Sequence, residues 1–253
     1  MPNKIRVMPV LLYKNVGLVK GVRFDSWRRV GSAMQSIKVY NLREVDELVF
    51  LDITATREGR SPDFQTIDEL ADECFMPLAV GGGIRSVDDV HRLLQVGADK
   101  IVLNTAAVET PDLIQKIAYR FGAQCVVISI DAILRPDAQY EVLTRSGTFS
   151  TGLDPVTLAK QVESSGAGEI LITSIERDGT MLGYDTELIH RVSETVSIPV
   201  IASGGAGSYE HMAQALRVGK ASAVAAASIF HFTQQTPLEA KRYLKQRGFN
   251  VRL

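Results

Sequence analysis

Two glycine turns and one carboxylate carry most of the chemistry legible in this chain. Gly82-Gly83 and Gly204-Gly205 each end a short apolar run, and a helical pattern begins a few residues later. Such a turn presents bare backbone N–H groups at a helix start, which suits an anion. Asn104 and Thr105, at the end of another apolar run, join Gly82 and Gly83 as one candidate phosphate cradle. Gly179, Gly204, Gly205, Ala227 and Ser228 make the other, with Asp178 beside it. Amides and small hydroxyls donate to phosphate without bulk, and a helix N-terminus adds a favourable field. The plainer reading is that the glycines only permit tight strand–helix turns. Asp131 closes the run QCVVISID. A carboxylate there is costly unless it is used, so Asp131 is read as a general acid or base, against the plainer reading of a hydrogen bond to a loop.

A second constellation is charged. Arg6, Glu47, Lys100 and Glu169 each stand at the start of an apolar run. Two residues of each sign could form a ring, either a plain salt-bridge plug or a gate on a central passage.

The elements that must hold these residues follow from an internal repeat. Gly82 and Gly204 stand 122 residues apart, as do Pro77 and Pro199. The same shift lays DELVFLDITATREG on GEILITSIERDGT, and GADKIVLNTAAV on GKASAVAAASIF. Repeats of this length are a fold-level signal. Apolar runs at 5–13, 47–52, 78–81, 100–104, 124–131, 169–174, 200–202 and 221–226 read as buried strands. Helical patterns fall at 32–41, 63–75, 87–96, 111–121, 155–165, 188–196, 211–218 and 237–247. Residues 14–30 read as a long polar connection, and 140–144 as one arm of a small hairpin above the barrel. Eight alternating units with a half-chain duplication predict one (β/α)₈ barrel domain over residues 1–253, with a doubly wound sheet as the competing architecture. In such a barrel the working face lies at the C-terminal ends of the strands, where the cradles and Asp131 fall.

Composition narrows the function classes. A formal net charge of −1 gives no bulk attraction to nucleic acid or to an anionic membrane. No apolar run approaches the roughly 20 residues of a membrane span. Lys4 and Arg6 interrupt the start, so no signal peptide is read and a cytoplasmic location is expected. Cys74 and Cys125 read as core thiols without metal spacing. The histidines at 91, 190, 211 and 231 show no ligand spacing either, and nothing calls for a metal or a cofactor.

The strings DELVFLDITA, VGGGI, GADKIVLNTAAVE, GAGEILITSIERDGT, GYDTELI, PVIASGGAG and FNVRL together resemble the cyclase subunit of imidazole glycerol phosphate synthase, from near Lys4 to Leu253. The resemblance implies a (β/α)₈ barrel with a glutaminase subunit docked on its floor, whose ammonia crosses the barrel to the top. It places the family's floor gate on Arg6, Glu47, Lys100 and Glu169. It places the two phosphate sites on the two cradles, and it implies catalytic roles for Asp131 and Lys20.

One departure is large. The family's first strand ends in a catalytic Asp, in a motif of the form PCLDVKDG; here Leu12 occupies that position within PVLLYKN. The stretches KNVGLVKGVRF, VYNLREVDEL and DECFMPL are similar to a paralogous branch that pairs with its own glutaminase and supplies ammonia for acetamidino sugars of surface polysaccharide. The expectation is therefore an ammonia-channelling subunit acting on a small phosphorylated or nucleotide-linked substrate in modified-sugar (lipopolysaccharide) biosynthesis. Two other readings are an authentic cyclase of histidine biosynthesis and a non-catalytic scaffold that activates a glutaminase.

Overall fold

A computed structural model describes residues 4–15 and 17–253. The rest of the expected 1–253 domain, including position 16 of the expected connection, lies outside them. β1 (Arg6–Lys14) turns back through β2 (Gly17–Val22) and β3 (Asp25–Gly31) into α1 (Ala33–Leu42). There follow β4 (Leu48–Asp52), α2 (Phe64–Ala71), β5 (Leu78–Gly81), α3 (Val87–Gln95) and β6 (Lys100–Leu103). A short α4 (Thr105–Glu109) precedes α5 (Asp112–Phe121), then β7 (Val126–Leu134), β8 (Tyr140–Thr144) and β9 (Phe149–Ser150). The chain closes with α6 (Pro155–Ser164), β10 (Glu169–Ser174), α7 (Thr186–Ser193), β11 (Val200–Ser203), α8 (Tyr209–Arg217), β12 (Ala223–Ala226), α9 (Ser228–Phe232) and α10 (Pro237–Gln246).

Eight strands pair in parallel around a closed circuit, β1-β4-β5-β6-β7-β10-β11-β12 and back to β1. This is the expected (β/α)₈ barrel rather than an open sheet. Outward-facing residues such as Leu11, Val80, Ile101, Ile128 and Ile172 pack under the helices in one large core. Inward-facing residues, among them Met8, Val10, Val49, Ala79, Val102, Val127, Leu171, Ile201 and Ala225, form a separate apolar column inside the barrel. Burial on both faces is why these strands read as continuous apolar runs. Helix starts are fixed by side-chain caps: Asp63, Ser86, Asp154, Asp185, Ser208 and Thr236 each accept a backbone N–H of the first turn, worth about 1 kcal/mol apiece. Among the described residues no helix is long and apolar enough to cross a membrane.

Three readings are corrected. Residues 14–30 are not a polar loop but the antiparallel ribbon β2–β3, with Val22 opposite Asp25 and a tight turn at Arg23-Phe24, both at positive φ. The helix expected at 63–75 ends at Ala71, leaving Phe75 exposed. The repeat also slips once. Val87–Gln95 and Tyr209–Arg217 keep the shift of the glycine pairs, but Lys100 corresponds to Ala223, one residue further. The extra residue lies at the end of α8, where Lys220, at φ +56°, takes the left-handed position that Gly97 holds after α3. Asn104 and Thr105 therefore match Ala227 and Ser228, each pair opening a short helix.

Candidate functional site

Strand period brings the candidates to two ends of the same interior columns. On β1 the inward residues run Arg6, Met8, Val10, Leu12; beside β4 they run Glu47, Val49, Leu51; on and past β6, Lys100, Val102, Asn104; and on β10, Glu169, Leu171, Thr173. One end is charged, the middle apolar and the other end polar.

At the charged end the four expected residues meet. Arg6 Nη1 lies 2.6 Å from Glu47 and 3.1 Å from Glu169; Lys100 Nζ lies 2.9 Å from Glu47 and 3.2 Å from Glu169. The ring is thus closed, with signs alternating. Glu47 is its most deeply buried member, and its Oε1 is buried without a partner among the described residues. A ring of this kind balances charge within itself, as buried ions require.

At the other end the strands open into a cavity of about 560 Å³. Leu12, Lys20, Asp131, Asp178 and Gly179 line it, together with Gly82, Gly83, Asn104, Thr105, Gly204, Gly205 and Ser228. Every candidate named for catalysis or phosphate binding therefore faces one space. The cavity reaches down to Val10, Val102, Leu171 and Ala225, which belong to the interior column.

Asp131 is buried and its carboxylate pKa is pushed up to about 7, first by loss of solvation, with the nearby Asp178 charge adding to it. Ser129 Oγ donates to its Oδ1 and Asn104 Nδ2 to its Oδ2, both at 3.2 Å. A carboxyl group poised near neutrality and hydrogen-bonded on both oxygens can take or give a proton. Lys20 is 2% exposed and its ammonium donates to Asp178 Oδ2 at 2.6 Å. Arg23 N donates to Asp178 O at 2.8 Å. The ribbon β2–β3 is thereby tied across the mouth to the segment after β10, with Phe24 and Trp27 lining the cavity beneath it.

Four expected phosphate residues are placed in other work: Gly83 N donates to Thr56 Oγ1 at 3.2 Å, Thr105 Oγ1 donates to Asn104 Oδ1 at 3.3 Å and accepts from Arg145 N, and Asp178 and Asn104 are engaged as well. A carboxylate offers phosphate no donor, and Asp178 serves Lys20 instead. The Asn104 amide is directed at Asp131 and at Ser129 O. By contrast, Ser228 Oγ is buried with no partner among the described residues. The glycines have a steric reason of their own: a Cβ on Gly82 would lie 2.2 Å from Asp52 O, and one on Gly205 2.2 Å from Gly183 O, at φ +108° and +107°. The plainer reading of the turns is therefore satisfied whether or not an anion binds there.

Leu12 sits at the top of its column beside Leu51 and Ala227. The other carboxylates lining the cavity are each engaged: Asp52 with Arg60, Asp178 with Lys20, Glu109 with Arg145. His231, half-buried on α9 and held toward its neutral form by that partial burial, does not line the cavity.

Comparison with known proteins agrees with this architecture. The family model described as "Histidine biosynthesis protein" matches residues 6–236. Curated relatives from two strains of Caulobacter vibrioides, each called imidazole glycerol phosphate synthase subunit HisF, are 50% identical over 251 residues, covering 99% of this chain and 96% of theirs. With a barrel of this topology and identity at that level along nearly its whole length, the chain belongs to the histidine-biosynthesis protein family, and within it is a relative of the HisF subunit.

Proposed function

We propose that this chain is the barrel subunit of a glutamine-dependent synthase, receiving ammonia from a glutaminase at the charged floor and delivering it to a substrate with two anionic ends held at the mouth. The observation that carries this reading is the order of layers along one axis: a self-neutral charged ring, an apolar column, then a cavity with a proton-handling carboxyl. Neutral NH₃ can enter an apolar column, whereas ammonium would be heavily penalised there. The two cradles on opposite sides of the mouth suit a ligand with a phosphate at each end.

At the mouth, Asp131 would move the proton, Asn104 and Ser129 would orient it, and the Lys20–Asp178 pair would hold the ribbon over the reacting centre. The HisF name of the relatives supports imidazole glycerol phosphate formation, the lyase step of histidine biosynthesis, as the reaction. A second reading rests on Leu12. It fills the position of the family's first-strand acid, and no other cavity carboxylate beside Asp131 is free of a cation. A positioned acid or base contributes about 10²–10⁴-fold. That loss favours ammonia transfer to a different acceptor, such as a sugar to be amidinated.

The deciding experiment supplies the purified chain with ammonium salt and the bisphosphorylated ribulosyl intermediate of the histidine pathway. Cyclised product at a rate typical of the family establishes the cyclase; its absence, with glutaminase stimulation retained in the complex, favours the other acceptor. A chain that neither binds nor stimulates a glutaminase overturns the proposal.

A further inference from the structure

The two halves of the barrel hold their ring glutamates differently. Glu169 lies opposite Val127 in the ladder between β7 and β10, and Gly168 N donates to Val126 O at 2.9 Å just before it. Glu47 stands 122 residues earlier, yet the ladder between β1 and β4 begins only at Val10 opposite Val49. On their other sides the two glutamate segments are alike: Leu48 N donates to Pro77 O as Ile170 N does to Pro199 O, both at 2.9 Å. The missing rungs are thus confined to the seam between Arg6 and Glu47, whose side chains make the shortest contact in the ring.

A side chain spans that seam. Asp46 accepts Val7 N on its Oδ2 at 3.0 Å, and so joins the residue after Arg6 to the residue before Glu47. The second half has Gly168 at this position, where a Cβ would lie 2.1 Å from Ala123 O, so that half closes by backbone contact instead. The other oxygen of Asp46 lies 3.2 Å from Lys241 Nζ, which reaches in from α10 and also donates to Glu44 O at 2.8 Å. Both side chains are almost wholly buried. A carboxylate at that depth needs a counter-charge to stay there. Arg6 and Lys100 are taken up by the two ring glutamates, so Lys241 supplies it.

We infer that Asp46 and Lys241 are positioning residues of the floor ring: together they stand in for the absent rungs and set how closely Arg6 meets Glu47. Without the Asp46 carboxylate the start of β1 keeps its ladder to β12, where Arg6 lies opposite Ala223, but loses this tie to β4. Val7 N is then left without its acceptor, and the Arg6 guanidinium is free to draw away from Glu47. The consequence for ammonia entry rests on the ring being the entrance proposed above.

Side-chain NMR of the full chain, isotope-labelled in arginine, tests it, with Arg6→Lys used to assign the Arg6 guanidinium. A guanidinium clamped between two carboxylates turns slowly, and its terminal nitrogens give separate signals. These should be resolved in the cold for the wild-type protein and merge in Asp46→Ala, while the Arg60 signals, from the far end of the barrel, stay as they are. Lys241→Met, which keeps the bulk of the lysine stem and strips Asp46 of its cation, should also disturb the Arg6 signals. A general loss of stability lowers the thermal midpoint without freeing Arg6 in the folded protein, so the signals separate positioning from plain support. In the proposed complex with a glutaminase, product formed per glutamine consumed should fall in Asp46→Ala, while turnover on added ammonium salt persists. Arg6 signals that are already merged in the wild-type protein, or that do not change in whichever variant folds, overturn the inference. Arg6 freed with that yield unchanged upholds the inference and overturns the ring's role as the entrance.

Discussion

Lys20 and Asp178, 158 residues apart in sequence, meet at 2.6 Å over the mouth of the barrel, the lysine almost wholly buried. This pair, with the bonds from Arg23 N to Asp178 O and from Arg23 Nε to Glu176 O, holds the β2–β3 ribbon against the segment after β10. Asp178→Asn leaves the ammonium buried without its counter-charge, and one-sided removal from a buried pair costs about 3 kcal/mol or more. The ribbon should respond first. Limited proteolysis should speed up at the Arg23-Phe24 turn in the variant. An unchanged cleavage rate would mean that the ribbon is held by its backbone ladder alone.

The Asp131 carboxyl gives a pH signature. Folding raises its pKa from the ordinary 3.8 to about 7, so the fold favours the protonated form. That contribution is complete below the unfolded value and disappears as pH climbs through the folded one. Stability of the wild-type protein should therefore fall relative to Asp131→Asn between about pH 4 and pH 7, by at most about 4 kcal/mol. Parallel denaturant curves for the two proteins would reveal the absence of any such divergence.

Leu12 offers a gain-of-function test. It lies in the cavity, on the same column as Arg6. Leu12→Asp should raise cyclisation of the ribulosyl intermediate, with ammonium supplied, by up to about 10²-fold if the missing acid is what limits it. No gain at any pH from 6 to 9, in a variant that still folds, would place the defect elsewhere in the site.

The floor ring predicts a coupling defect. Glu47 bonds both Arg6 and Lys100, so Glu47→Ala leaves two cations facing Glu169 alone. In the proposed complex with a glutaminase, glutamine consumption should then outrun ammonia-dependent product, while added ammonium salt still supports turnover. Intact coupling in Glu47→Ala would reduce the ring to a structural plug.

Much of this was legible because barrel strands are buried on both faces. Runs such as ELVFLD and EILITS show no polar alternation, and the half-chain repeat fixed their number and closure. The floor ring could be read because charge at the first residue of a buried strand is conspicuous. The β2–β3 ribbon could not: it is an edge hairpin carrying Lys20, Arg28 and Arg29, so its composition is that of a loop and only its pairing to β1 makes it sheet. The work of Asn104 and Asp178 was hidden for another reason. Their partners lie on other strands, and sequence spacing carries no information on a contact set by barrel closure. The single slip at Lys220 is not legible in the sequence, because Gly219 keeps the expected glycine one position before the turn that needs it.

β1 has a consequence that reaches past either site. It starts at Arg6 in the floor ring, forms the wall as far as Lys14, and hands its ladder directly to β2, which carries Lys20 over the mouth. Floor ring and mouth ribbon therefore hang from one paired strand, wall and ribbon sharing a single hydrogen-bonded ladder. A displacement of the guanidinium underneath would be carried along β1 to the ribbon above, so the two ends of the barrel answer to a single mechanical member.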